Sequence, residues 1–356
     1  MPILRLPGIL DTHVHLRDPG ATHKEDVFSG TVAAASGGVI GVLDMPNNQP
    51  PITDRHTLLR KQSCFQDKAV VDYGLFLGYT GGSLDALCEL SAQVVGLKLY
   101  LDATYGQMMM SDPALLGAVF NAWPGPGPIA VHAEGRSIDL AMELAARYDQ
   151  RLHICHVPHP DDLLRIDAAR QGGIRVTCEV TPHHLFLSDE ASQRLGAYAV
   201  MRPPLVSARD VAAFWERLSL VDTVGSDHAP HTHQEKRSPS PPPGVPGVET
   251  TLSLFLWAVE QGRLTLERFV ELTFHNPLRI FGLISPAQSY VEVFVDEPYR
   301  LPADGYRTRC GWSPFVGQWA IGRVSRVQIR NQIVWQEGEL QVKAGFGRPL
   351  LRAGGE

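Results

Sequence analysis

The sequence predicts an α/β fold: a (β/α)8 barrel of the TIM type with a small C-terminal β appendage. Three observations carry this reading. Eight short apolar runs recur about 20 to 40 residues apart, helix-like stretches separate them, and the pattern changes after about residue 285. Strand–helix alternation repeated eight times suits a closed parallel barrel, which needs ~250 residues. An open doubly wound sheet is the rival architecture for the same alternation.

The runs end near His15, Met45, Leu77, Leu101, His132, His156, Val180 and Ser226. Several are apolar on both faces, as in 94–101, which suits parallel strands covered on both sides. The stretches 22–36, 53–66, 113–122, 135–149 and 159–172 suit the helices between them. Beyond 285, residues 290–295, 324–329 and 333–335 alternate apolar and polar, punctuated by Gly and Pro, as antiparallel strands do. These patterns set a barrel unit at 8–284 and a small β-rich unit at 285–350. The lead 1–7 goes with the second unit but is too short to add much to it.

The composition narrows the function classes. Of 356 residues, 44% are hydrophobic and 20% charged, ordinary for a globular protein with a sizeable core. A net charge of −6 lacks the basic footprint of a nucleic-acid binder. No apolar run approaches the ~18 residues of a membrane-spanning helix. Residues 1–5 do not read as a signal peptide. Five cysteines, without a CxxC pair, point to a reducing compartment, so a cytoplasmic location is expected.

Chemistry begins at His13 and His15, just past Gly8-Ile9-Leu10-Asp11. Residues two apart at a strand end share a face, here the barrel interior at its catalytic mouth, where two imidazoles can share a metal ion. His132 closes Ile129-Ala130-Val131, His156 closes His153-Ile154-Cys155, and Asp227 follows Val224-Gly225-Ser226. Singly, each reads equally well as a hydrogen-bonded core histidine or a turn-capping aspartate. Together they bring four histidines and an aspartate to the mouths of four strands, and a barrel has only one such mouth. Lys98 sits inside an apolar strand, where an unpaired ammonium is costly. Either it pairs with a neighbour such as Asp227, or CO2 adds to its amine and leaves an anionic carbamate able to bridge two metals. The segment 236–244, rich in proline, reads as a polyproline ligand or as an ordered loop. Its place directly after the eighth strand favours an active-site loop.

At these positions the chain resembles the amidohydrolase superfamily and, within it, the dihydroorotases. The resemblance rests on Asp11-Thr12-His13-Val14-His15-Leu16-Arg17-Asp18-Pro19-Gly20, Met45-Pro46-Asn47, Gly96-Leu97-Lys98-Leu99-Tyr100, His132-Ala133-Glu134, His153-Ile154-Cys155-His156-Val157, Thr181-Pro182-His183-His184-Leu185 and Ser226-Asp227-His228-Ala229-Pro230-His231. It runs from about residue 7 to about 346, closest to the dihydroorotase domain of the animal multifunctional pyrimidine-synthesis protein.

The resemblance implies zinc-dependent, reversible cyclisation of N-carbamoyl-L-aspartate to L-dihydroorotate. It implies that His13, His15 and Asp227 hold one zinc and His132 and His156 a second. Carboxylated Lys98 and a hydroxide would bridge the two, with Asp227 as general base and then acid. Arg17, Asn47 and His231 would bind the substrate carboxylate. Arg202 and the backbone around Gly244 would meet the ring, and Thr104 and Tyr105 would belong to a loop closing over it. A third zinc is implied at Cys155 and Glu179, although alternation with His156 turns Cys155 toward the helices. The resemblance also implies a homodimer and association with aspartate transcarbamoylase, with neither nucleic acid nor membrane as partner. Arg17 is the best discriminator from hydantoinases, dihydropyrimidinases and allantoinases, whose rings lack that carboxylate. Two departures stand out: Asn48 where relatives often have Thr, and Tyr105 where an aromatic without a hydroxyl is common.

Overall fold

The computed structural model describes residues 2–352. After an edge strand, β1 (Ile3–Leu6), eight parallel strands follow in sequence order around one sheet. They are β2 (Ile9–Val14), β3 (Val39–Asp44), β4 (Asp72–Gly78), β5 (Gly96–Tyr100), β6 (Ile129–His132), β7 (Leu152–Ile154), β8 (Val176–Val180) and β9 (Thr223–Val224). Every residue of β2 to β7 is buried, because side chains on one face fill the barrel and those on the other meet the helices. A parallel bridge between Val14 and His228 closes the seam, with the His15 N–H donating to the His228 carbonyl at 2.8 Å. The fold is therefore the predicted barrel rather than the open sheet.

Six helices lie between the strands up to β8: α1 (Val27–Ser36), α2 (Arg55–Lys68), α3 (Asp85–Leu90), α4 (Pro113–Ala122), α5 (Arg136–Arg147) and α6 (Pro160–Gln171). The first differs usefully from the predicted 22–36. Asp26 takes an extended conformation and its carboxylate accepts from the Ser29 N–H, so it caps the helix and leaves 22–25 as loop. That loop carries Lys24 and Glu25 inward, both buried. Helix α3 escapes the pattern because it is short and has no side-chain cap.

The remaining strands are β10 (Tyr290–Phe294), β11 (Tyr299–Arg300), β12 (Trp319–Ala320), β13 (Arg323–Ile329), β14 (Gln332–Gln336) and β15 (Glu339–Leu340). A second, antiparallel sheet runs β1-β10-β13-β14-β15, with Leu6 opposite Val291 and Val327 opposite Trp335. The short lead, expected to add little, thus supplies an edge strand. Val291, Val293, Val327, Ile329 and Trp335 join the same apolar core as the barrel. Between β10 and β13 the chain makes an excursion that the alternation did not foretell. Leu301, Cys310, Trp312 and Phe315 pack with Met201 and Val245 beside the loops that follow β8 and β9. Among the described residues, no helix is long and apolar enough to cross a membrane, and all five cysteines are free.

Candidate active site

The strand ends meet at one mouth. His13, His15, His132, His156 and Asp227 line a single cleft. Arg17, Asn47, Thr104, Tyr105, Arg202 and Gly244 line the same cleft, so residues as far apart in sequence as His13 and Gly244 converge there. Arg202 stands exposed at its edge. Tyr100, Ala229 and Pro243 also line it and were not foreseen.

The imidazoles are set as ligands. His13 directs Nδ1 to Glu179 Oε1 at 2.8 Å, and His15 directs Nδ1 to Asn47 Oδ1 at 2.6 Å. An acceptor on Nδ1 fixes the proton there and leaves Nε2 as a bare lone pair. Both Nε2 atoms face Asp227 Oδ1, at 3.4 Å from His13 and 3.1 Å from His15. His132 Nδ1 and His156 Nε2 approach to 3.0 Å. Burial holds the pKa values of His15 and His156 well below that of free histidine, which keeps them neutral as ligation requires. Atoms of His13, His156 and Asp227 lie within 4.8 Å of one another.

Lys98 does not make the expected ion pair with Asp227. It is fully buried, and its Nζ finds no hydrogen-bond partner among the described residues, Asp227 included. A buried cation without a partner is not a stable end state. The donor set, imidazoles around one carboxylate with an orphaned amine beside them, fits a metal centre that a modified lysine would complete.

The expectation that Cys155 faces the helices fails. Strand β7 stops at Ile154, and His156 adopts φ 33°, so the backbone leaves strand geometry where alternation would have applied. Cys155 packs with Leu10, Leu43 and Ala130. It joins Glu179 and His13 in a second group whose ligand atoms lie within 4.8 Å of one another. Burial pushes the Cys155 thiol up to about 12. Burial also works to raise the Glu179 carboxyl, but His13 and His153 outweigh it and hold it well below the usual range. Gly225 is required at this point, because a Cβ there would lie 2.3 Å from Glu179 Oε2.

Loops build the other end. Arg17 is buried, at φ 61°, with Nε donating to the Pro230 carbonyl at 3.2 Å. Its Nη2 lies 3.2 Å from His231 Nε2, and its Cζ 5.1 Å from the Tyr105 ring centre. His231 touches Arg17 from behind rather than lining the cleft itself. Left-handed backbone at Arg17, His156 and Asp227 (φ 45°) is unfavourable for such residues, and three instances at one mouth mark a functional site. Asn47, expected at the substrate carboxylate, has its oxygen engaged by His15 and one Nδ2–H directed to the Tyr105 carbonyl at 3.4 Å, which leaves a single N–H to donate. Lys61 is fully buried on α2 and anchors this turn, with Nζ 2.6 Å from Asp44 Oδ2, the Met45 carbonyl and Asn48 Oδ1. The Asn48 departure therefore supplies an acceptor. The 236–244 segment is an ordered loop: Lys236 Nζ donates to the carbonyls of Val200, Pro242 and Gly244 at 2.9–3.1 Å.

Comparison with known proteins agrees with this architecture. Residues 3–89 match a family model described as dihydro-orotase-like. A multifunctional protein CAD from Squalus acanthias is 42% identical over 98% of the chain, which spans only 16% of that protein's length. The dihydroorotase of Methanosarcina acetivorans is 32% identical over 99% of the chain and 86% of its own length. This chain belongs to the dihydroorotase family. An L-hydantoinase structure from Arthrobacter aurescens superposes with a TM-score of 0.93 at 27% identity, covering 98% of the chain and 89% of that structure. Members of the dihydroorotase family therefore share their barrel with neutral-ring amidases, and the barrel alone does not separate the two. The family is metal-dependent, and the histidine groups above are its candidate ligands here.

Proposed function

We propose that this chain is a zinc-dependent dihydroorotase, interconverting N-carbamoyl-L-aspartate and L-dihydroorotate in the pathway to UMP. The observation that carries it is the buried Arg17 guanidinium within reach of the histidine cluster, in a chain of this family. A buried cation facing a metal-type cleft selects a substrate that brings its own carboxylate.

His13, His15 and Asp227 would hold one zinc and His132 and His156 the other. Lys98 would join them as a carbamate, formed when its amine adds CO2 and releases a proton. When bound, the ions would acidify a water and polarise the ring carbonyl. Asp227 receives the proton of the attacking water and returns it to the departing ring nitrogen, base and then acid. Without a metal, burial shifts its pKa upward from the ordinary aspartate value, with His13 and Lys98 opposing. Arg17 binds the substrate carboxylate through its Nη edge, with Asn47 Nδ2 beside it and His231 supporting Arg17 from behind. Arg202 and the Gly244 backbone bound the ring, and Thr104 and Tyr105 cover it. Gly244 has φ 135°, and a Cβ there would lie 2.6 Å from the Ala229 carbonyl, so the loop closes only with glycine. A third zinc would sit at Cys155 and Glu179. The catalytic unit would be 8–284, with 285–350 and 1–7 as an accessory unit. A homodimer, association with aspartate transcarbamoylase and a cytoplasmic location belong to the same proposal.

The test offers the zinc-loaded protein L-dihydroorotate, dihydrouracil and hydantoin side by side. Carbamoyl-aspartate should be released from the first, and a chelator should abolish its release. Turnover of the neutral rings with none of dihydroorotate would overturn the proposal in favour of a hydantoinase-type enzyme.

A further inference from the structure

Lys24 had no place in the sequence reading because it fell inside a predicted helix. In the structure it is 3% exposed, at the end of the loop between β2 and α1. Its ammonium has three N–H groups and three neighbours. Glu235 Oε1 lies at 3.0 Å, the Tyr105 hydroxyl at 2.8 Å and His231 Nδ1 at 3.1 Å.

An ammonium has protons and no lone pair, so whatever accepts from it must present a lone pair. At His231 that atom is Nδ1. The imidazole proton therefore sits on Nε2, which faces the Pro243 carbonyl at 3.0 Å and Arg17 Nη2 at 3.2 Å. Burial, with Arg17, Lys24 and Lys236 around it, keeps this histidine from taking a second proton. The Nε2–H is then taken by the Pro243 carbonyl, and Arg17 Nη2 faces a donor rather than an acceptor, so its own N–H remains for a carboxylate oxygen. The same ammonium reaches the loop at 102–110. The Tyr105 ring stands edge-on to His231 with centroids 5.0 Å apart, and its hydroxyl is the atom that Lys24 holds. A phenylalanine would keep the ring and lose the tie.

We propose that Lys24 is a positioning residue for the carboxylate end of the site: its one ammonium fixes the proton of His231 on Nε2 and fastens the loop through the Tyr105 hydroxyl. The inference rests on the dihydroorotase reading for its kinetic consequences. The tautomer of His231 does not depend on that reading.

The experiment uses the full, zinc-loaded chain. Nitrogen-15 NMR of histidine-labelled protein, with His231→Asn to assign the signal, should find His231 protonated on Nε2. In Lys24→Met that signal should shift toward the Nδ1–H form. Loss of a charge-assisted hydrogen bond predicts that Lys24→Met raises KM for L-dihydroorotate about tenfold or more and lowers kcat less. Tyr105→Phe should raise KM roughly threefold to fivefold in the native background, and less than about twofold once Lys24 is Met, because the two changes remove one contact. Proton placement on Nδ1 in the native protein would overturn the proposal, as would an unmoved tautomer in Lys24→Met or additive effects of the two substitutions. Should Lys24→Met not fold, the native tautomer and the Tyr105→Phe KM decide alone. Native protein that ignores dihydroorotate would defeat the functional reading, while the His231 signal would still decide the role of Lys24.

Discussion

The two ends of the cleft are built by different means. At the proposed metal end, the imidazoles and Asp227 stand at or just past the ends of hydrogen-bonded strands. At the proposed carboxylate end, Arg17, Asn47, Tyr105, His231 and Gly244 all stand on loops. These loops are held by buried side chains: Lys61 under Asn47, Lys24 behind His231 and Tyr105, and Lys236 under Gly244. Strand ends are positioned by the barrel itself, which is common to the hydantoinases. Loops need dedicated anchors, and three buried lysines supply them here. Under the proposed function, the general chemistry of the site would rest on the scaffold and its substrate choice on the anchors.

The largest expected effect breaks the metal end. Lys98→Ala should lose most bound zinc and lower kcat by about a thousandfold, since Lewis-acid stabilisation supplies several kcal/mol. Metal analysis of purified protein checks this, and added short carboxylic acids should restore part of the activity. Full zinc content in the variant would remove Lys98 from the ligand set.

Arg17→Met breaks the carboxylate end instead. It should lower kcat/KM for L-dihydroorotate by about a hundredfold or more, as loss of a buried charge partner does, and leave zinc content as in the native protein. Loss of zinc together with activity would erase the distinction between the two ends.

Asn47 joins the ends, because its oxygen orients His15 while its nitrogen faces the loop. Asn47→Ala should weaken zinc retention against a chelator by about 10- to 100-fold, the usual cost of losing a ligand's hydrogen-bond partner. A change confined to KM would place Asn47 wholly at the substrate.

Lys236 gives the smallest effect and the sharpest test of the anchors. Burial pushes its ammonium down to about 8, and three carbonyls resist that. Between about pH 8 and its unfolded value near 10.5, the unfolded chain keeps the proton that the folded chain gives up. The stability of the native protein relative to Lys236→Met should therefore rise with pH across that window. Denaturant midpoints of both proteins at pH 7 and pH 9.5 check the sign.

Much of the metal end was legible in the sequence. Period two placed His13 with His15, and the strand-end positions of His132, His156 and Asp227 sent them to one mouth. Alternation failed at Cys155 because the backbone turns left-handed at the very next residue. The helix pattern failed at Lys24 because Asp26 starts α1 five residues later than periodicity suggests. Lys61 was invisible for a related reason: a lysine on a helix face reads as solvated, and only the packing of α2 against the Met45 turn buries it.

The sequence by itself pointed to the barrel and to the strand-end positions of the candidate ligands, through local periodicity and side-chain chemistry that act over a few residues, while the carboxylate role of Arg17 came from the family resemblance. Only the tertiary structure decided that Lys98 has no hydrogen-bond partner among the described residues, that His13 also meets Cys155 and Glu179, and that one ammonium serves both His231 and Tyr105. Those facts depend on which atoms meet across separations of tens to hundreds of residues, and the closure of the barrel fixes those meetings.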